Sequence, residues 1–233
     1  MEKGTIKIEA GKDVVANILI GDKTGIGKII EDIKNGISNA AAFFNDSKDV
    51  SFEIELIYSR EEFDKYLGEK TENWVIAHSF ENKFIIFSPE KIEEHTNHKK
   101  SEFLQIICHE TCHILLQRMN PKFSFWMFEG IALNVANQIK KGEVKKENLE
   151  YFINECLFKN LSYEKFISHR GYLISYLLMK YFLDNYDKET VIALMKIRYG
   201  VDDFSKKEFC KIVNMTEGQI VDLAKKVLEN KKA

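Results

Sequence analysis

Cysteine is scarce, charge of one sign is nearly balanced by the other, and no apolar run is long enough to cross a bilayer. Each shortage removes a class of protein. Four cysteines in 233 residues do not make a disulfide framework, so reduced thiols and cytoplasmic residence are the simplest expectation. A formal net charge of −2 offers nothing to a nucleic acid or an anionic membrane surface. The opening residues, Met1-Glu2-Lys3-Gly4-Thr5-Ile6-Lys7, lack the hydrophobic stretch of a secretory signal, and nothing downstream reads as a transmembrane helix. There is no internal repeat and no low-complexity tract. What is present is a chain that is 45% hydrophobic, enough for one substantial core or a main domain with a small N-terminal appendage.

Residues 1–25 are mixed, with Val14–Ile20 a strand or a short helix. From Ile29 to Phe44, apolar residues at 29, 30, 33, 37, 40, 41 and 44 predict a helix. Phe52–Tyr58 alternates as a half-buried strand does, and Ser59 caps a short helix through Leu67. Trp74–Phe80 and Lys83–Phe87 predict a hairpin closed near Glu81-Asn82. The charged stretch Lys91–Lys100, which carries His95 and His98, reads as a loop or a frayed helix. Helices follow at about 102–118, from Phe125 to about 140, and then over 147–158, 163–167, 171–185, 188–198, 205–212 and 216–230. Strands dominate before residue 90 and helices after residue 100. That is an α+β layout, with an N-terminal α/β subdomain and small mixed sheet over 1–100 and a helical subdomain over 101–233.

One segment carries chemistry. Cys108-His109-Glu110-Thr111-Cys112-His113 contains His-Glu-x-x-His, with Phe103-Leu104-Gln105-Ile106-Ile107 before it and Ile114-Leu115-Leu116 after it. No Pro or Gly lies between Ser101, the predicted N-cap, and Asn120-Pro121, the predicted stop. On a helix, residues four apart share a face, so both imidazoles reach one ion. Glu110 then faces the same cleft and serves as general base for a metal-bound water. Downstream, Phe125-Trp126-Met127-Phe128-Glu129-Gly130-Ile131-Ala132 places a lone acid in an apolar, helix-compatible stretch. Burying that carboxylate is costly unless something positive neutralises it, and zinc on His109 and His113 would do so. Two His, one Glu and an open position form the catalytic zinc arrangement.

These segments resemble the gluzincins, the branch of the peptidase MA clan that includes thermolysin and the zinc aminopeptidases. His109-Glu110-Thr111-Cys112-His113 matches the family's first motif. Trp126-Met127-Phe128-Glu129-Gly130-Ile131-Ala132 is similar to its W-x-x-E-G-x-A segment, whose Glu is the third ligand. Gly171–Tyr181 resembles the helix that carries a transition-state tyrosine, with Tyr172 at the matching position. The resemblance spans roughly 74–228 and is strongest over 101–136. It implies a zincin-like catalytic domain, Zn2+ as cofactor, a peptide or protein substrate, and His109, His113 and Glu129 as metal ligands, with Glu110 and Tyr172 catalytic. It also implies a strand upstream of the motif helix that holds substrate backbone. Lys83–Phe87 is the candidate if it is an edge strand; if it is interior, substrate binding lies elsewhere.

The chain departs from the pattern in two places. Fifteen residues separate His113 from Glu129 (114 through 128), fewer than in the best-known members. The Asp that orients a ligand His one turn after the third ligand is replaced by Leu133, with Asn134 and Asn137 the nearest substitutes. The G-A-M-E-N exopeptidase sequence is absent, which favours endopeptidase action.

Other features have plainer readings. Tyr172 is equally placed to be a core aromatic; His169, a second candidate donor to the oxyanion, reads more readily as a surface or capping group. Cys108 and Cys112 read as small apolar core residues, since the Cys108-x-x-x-Cys112-His113 spacing is one residue longer than a haem attachment motif. Gly21–Lys28 fails the phosphate-loop spacing and reads as a turn. The expected activity is therefore zinc-dependent peptide hydrolysis. The competing class is an inactive gluzincin-like scaffold that keeps zinc and serves as a protein-binding module.

Overall fold

Val14, Ala16, Ile18 and Ile20 are buried and alternate with half-buried neighbours, and that period of two makes β2 (Val14–Ile20) a strand. The computed structural model describes residues 4–10, 14–21, 26–44, 50–159, 163–199 and 204–229. It divides into two units, Met1–Leu115 and Leu116–Ala233.

In the first unit, β2 pairs antiparallel with β1 (Gly4–Ala10) and parallel with β3 (Val50–Ile57). Next to β3 lies β5 (Lys83–Phe87), again parallel, and β4 (Ala77–Ser79) runs antiparallel along its far side. The order is β1-β2-β3-β5-β4. Lys83–Phe87 is therefore an interior strand, and β4 is the edge. The physical reason is visible in Phe84-Ile85-Ile86-Phe87: all four side chains are buried, as in a strand covered on both faces. The hairpin joining β4 to β5 is the expected one, closed by the Phe80 N–H donating to the Lys83 carbonyl at 2.7 Å.

Helix α1 (Ile26–Phe44) buries Ile29, Ile33, Ile37, Ala40 and Phe44 on one stripe. Gly27 and Lys28 lie in its first turn; positions 22–25 of the glycine-rich segment fall outside the described residues. Gly36 lets α1 approach α4 (Phe103–Met119) closely. A Cβ there would sit 2.7 Å from the Ile107 side chain and 2.9 Å from the Leu104 carbonyl. Helix α2 (Arg60–Leu67) is capped as its sequence predicts: the Ser59 hydroxyl accepts from the Glu62 N–H at 3.2 Å, and Gly68 ends it in the left-handed conformation.

The charged stretch resolves into one helical turn, α3 (Ile92–His95), and a 3-10 turn over Lys100–Glu102 that leads into α4. Ser101 lies inside that turn and is not a cap. Arg60 ties these loops down by donating to Thr71 Oγ1, the Val75 carbonyl and the His95 carbonyl. One acid is buried within the sheet: Glu55, 3% exposed, is met by Lys83 and the Tyr66 hydroxyl. That pairing offsets the cost of removing a carboxylate from water.

The boundary between units falls inside α4, whose residues from Ile106 to Leu116 are all buried. The second unit is helical: α5 (Phe125–Val135), α6 (Lys146–Tyr151) running into a π-helical turn over Phe152–Cys156, α7 (Tyr163–Ser168), α8 (Gly171–Asn185), α9 (Lys188–Met195), α10 (Phe204–Val213) and α11 (Glu217–Glu229). Helix α5 stops short of the expected residue 140. Asn137 turns left-handed at φ 54°, and the Gln138 N–H closes on the Leu133 carbonyl at 2.8 Å. Likewise α9 ends at Met195, not 198. The Asn120 amide caps it by donating to the Met195 and Ile197 carbonyls at 3.0 and 2.7 Å.

Helices α5 and α8 touch at Gly130, where a Cβ would lie 2.5 Å from the Ser175 carbonyl oxygen. The indole of the buried Trp126 donates to the Leu157 carbonyl at 3.2 Å, just beyond the π-helical turn. Among the described residues, no helix is long and apolar enough to cross a membrane.

Candidate metal centre

Two helices supply the candidate ligands. On α4, His109 and His113 stand one turn apart, with ring centroids separated by 4.5 Å and planes at 89°. From α5 comes Glu129, in a helix whose residues Trp126 through Leu133 are all buried. The ligating atoms of His109, His113 and Glu129 all lie within 4.8 Å of one another. Their exposures are 9%, 5% and 5%, so none of the three is a solvated surface group.

The donor set tests whether a metal fits. Two imidazole nitrogens and one carboxylate, converging inside the protein, match a zinc ion that keeps one position open. Burial lowers the His113 pKa well below the ordinary histidine value, with His109 and His78 adding to the effect. The imidazole is thus held neutral, the form that ligates metal. These residues fit zinc.

Glu110 follows His109 directly and is 8% exposed. Its Oε2 accepts a hydrogen bond from the Ser79 hydroxyl at the end of β4. Ser79 is a contact that sequence reasoning did not single out. The hairpin that carries it was legible, but nothing local marks its serine as the neighbour of a glutamate 31 residues away.

The remaining candidates divide. Tyr172 sits in the first turn of α8, half-buried, with its ring edge-on to Phe166 at 5.3 Å. His169 is half-buried: its ring stacks on Tyr151 at 3.7 Å, and Nδ1 lies 2.8 Å from the Lys165 carbonyl. Asn134 donates to the Gly130 and Tyr176 carbonyls, which makes it a tie between α5 and α8. Asn137 is the left-handed residue that ends α5. Cys108 and Cys112 are buried, 1% and 0% exposed, with the Cys112 thiol hydrogen-bonded to Cys108. Burial, chiefly, pushes the Cys112 pKa up. His98 lies 2.6 Å from Glu102, and the His95 ring faces Phe87.

No family model and no curated protein matches the chain. Solved structures do. A crystal structure of a point mutant of an M1 zinc metallopeptidase from Deinococcus radiodurans matches with a TM-score of 0.53 at 11% identity, over 100% of this chain and 53% of that one. Two more M1 zinc metallopeptidase structures align at lower TM-scores. One is a two-domain mutant bound to L-arginine (0.46, 10% identity, 98% of this chain and 50% of that one). The other is an M1 zinc metallopeptidase from Deinococcus radiodurans (0.40, 12% identity, 98% and 51%). The chain spans about half the length of the proteins it matches. The likeness establishes the fold: the α+β arrangement of a mixed five-stranded sheet followed by a mainly helical half is that of the first of these peptidases.

Proposed function

We propose that this chain is a zinc-dependent peptide hydrolase, an endopeptidase in its mode of action. The observation that carries this reading is the buried convergence of His109, His113 and Glu129, with Glu110 on the same turn of helix as the first ligand. A zinc ion held by these three residues would supply Lewis acidity toward water and toward a substrate carbonyl.

The chain's own groups do the rest. Glu110 accepts a proton from the attacking water at its carboxylate and later delivers it to the departing amine. Tyr172 donates its hydroxyl to the oxyanion that develops on the carbonyl. Substrate backbone adds as an extended strand to β4, the edge strand among the described residues, the role that an edge-strand Lys83–Phe87 would otherwise have filled. Residues 1–100, with the sheet, and 101–233, with the ligand helices, work together as one catalytic domain.

Support for the reading comes from the donor set, from the burial of the general-base candidate and from the shared fold. Its test is metal analysis of protein purified without added zinc, followed by a peptide-library cleavage assay with and without chelator. The expected result is stoichiometric zinc and cleavage that chelator abolishes. Stoichiometric zinc with no cleaved peptide sinks the hydrolase reading in favour of a zinc-bearing binding module.

A further inference from the structure

One side chain of the sheet reaches the general-base candidate. Ser79 is the last residue of β4, and its hydroxyl donates to Oε2 of Glu110. The serine's backbone is well fixed. It pairs with Phe84 across the hairpin, and the next N–H, that of Phe80, is bonded to the Lys83 carbonyl at 2.7 Å. The strand beyond, β5, is interior and wholly apolar from Phe84 to Phe87. The hydroxyl is thus presented from a hydrogen-bonded hairpin.

The acceptor needs such a partner. Glu110 lies on a helix that is buried on all sides around it, and at 8% exposure water does little to orient its carboxylate. A glutamate also has three side-chain torsions, so burial alone does not select one direction for its two oxygens. A hydrogen bond from a hydroxyl to a carboxylate is charge-assisted and stronger than a neutral one. It is enough to select one rotamer.

We propose that Ser79 is a positioning residue for Glu110: it grips one carboxylate oxygen from the edge strand and so fixes the direction in which the base accepts its proton. This inference rests on the general-base reading of Glu110. It adds a coupling, since this bond joins the strand along which a peptide would lie to the base that serves the reaction. Catalytic groups need to be held within a fraction of an ångström of the productive geometry, and an unsupported base loses most of its advantage.

The test uses the zinc-loaded full chain and three variants, Ser79→Ala, Ser79→Thr and Glu110→Ala, together with the Ser79→Ala/Glu110→Ala pair. Metal analysis should find the same zinc content in parent, Ser79→Ala and Ser79→Thr. In Ser79→Ala, kcat should fall about ten- to hundredfold with little change in KM, and Ser79→Thr, which keeps the hydroxyl, should recover most of it. Hydrogen exchange supplies a second readout that does not depend on turnover. The amides of β4 and of Phe80 should exchange faster in Ser79→Ala, and adding Glu110→Ala should bring no further loss of protection. If exchange is unchanged in Ser79→Ala, or its kcat equals that of the parent, the proposal is overturned. A zinc-loaded parent that turns over no peptide defeats the hydrolase reading instead, and the exchange measurement then decides alone whether Ser79 holds Glu110.

Discussion

The candidate site is concentrated in polar side chains that the fold buries. His109, Glu110, His113 and Glu129 are all less than a tenth exposed, where a polar group is stable only if paired. Glu110→Gln keeps the volume and the acceptor for the Ser79 hydroxyl but removes the basicity. Zinc should stay bound while turnover drops about 10²- to 10⁴-fold, as measured by metal analysis alongside peptide cleavage. These residues were legible because the motif is local: four-residue spacing on one helix dictates that two imidazoles converge. Glu129 was legible because an isolated acid among Trp126, Met127, Phe128, Ile131 and Ala132 is anomalous in itself. Ser79 carried no such mark, since its partner is close in space and remote in sequence.

Among the elements, close packing decides where the candidate ligands stand. Gly130 is next to Glu129, and a Cβ on it would press to 2.5 Å from the Ser175 backbone oxygen of α8. Backbone cannot rotate away as a side chain does, so α5 would have to move. Gly130→Ala should therefore cost about 1–3 kcal/mol of stability, seen as a lower denaturant midpoint, and should weaken zinc retention against a competing chelator. Helix bodies were legible from periodicity, and their ends were less so. The stretch from Phe125 reads as helix to about 140, but Asn137 adopts a left-handed turn that no hydrophobic pattern announces. The strand β1 escaped because its alternation, Thr5-Ile6-Lys7-Ile8-Glu9, is short and heavily charged on the outward face. The position of β5 follows from pairing between distant strands, so its sequence left edge and interior both open, although its unbroken apolar run fits the interior place it takes.

At the scale of the whole molecule, the α+β class follows from the order of strands and helices along the chain, and the shared fold of an M1 zinc metallopeptidase agrees with it. At 11% identity, the likeness lies in the fold and not in the sequence at large. A metal that binds only the folded chain stabilises it by mass action. With free zinc about a hundredfold above its dissociation constant, that linkage is worth about 2.7 kcal/mol. Chelation should accordingly lower the melting temperature by roughly 5–10 °C for a chain of this size, measured by calorimetry with and without chelator. A melting temperature indifferent to chelator would mean that the ion contributes nothing to the native state.

From Ile106 to Leu116 every residue of helix α4 is buried, and on the proposed reading that enclosure bears on how such a chain would change once hydrolysis no longer mattered. Without a bound ion, the cluster of two imidazoles and a carboxylate is a liability, because aliphatic side chains of similar volume suit an interior better. Replacing His109, His113 and Glu129 together with Leu or Met should make the apoprotein more stable by about 1–4 kcal/mol, readable from its urea midpoint. Relaxed selection would then erode the cluster toward hydrocarbon, so its survival in any descendant chain is a record of continued use.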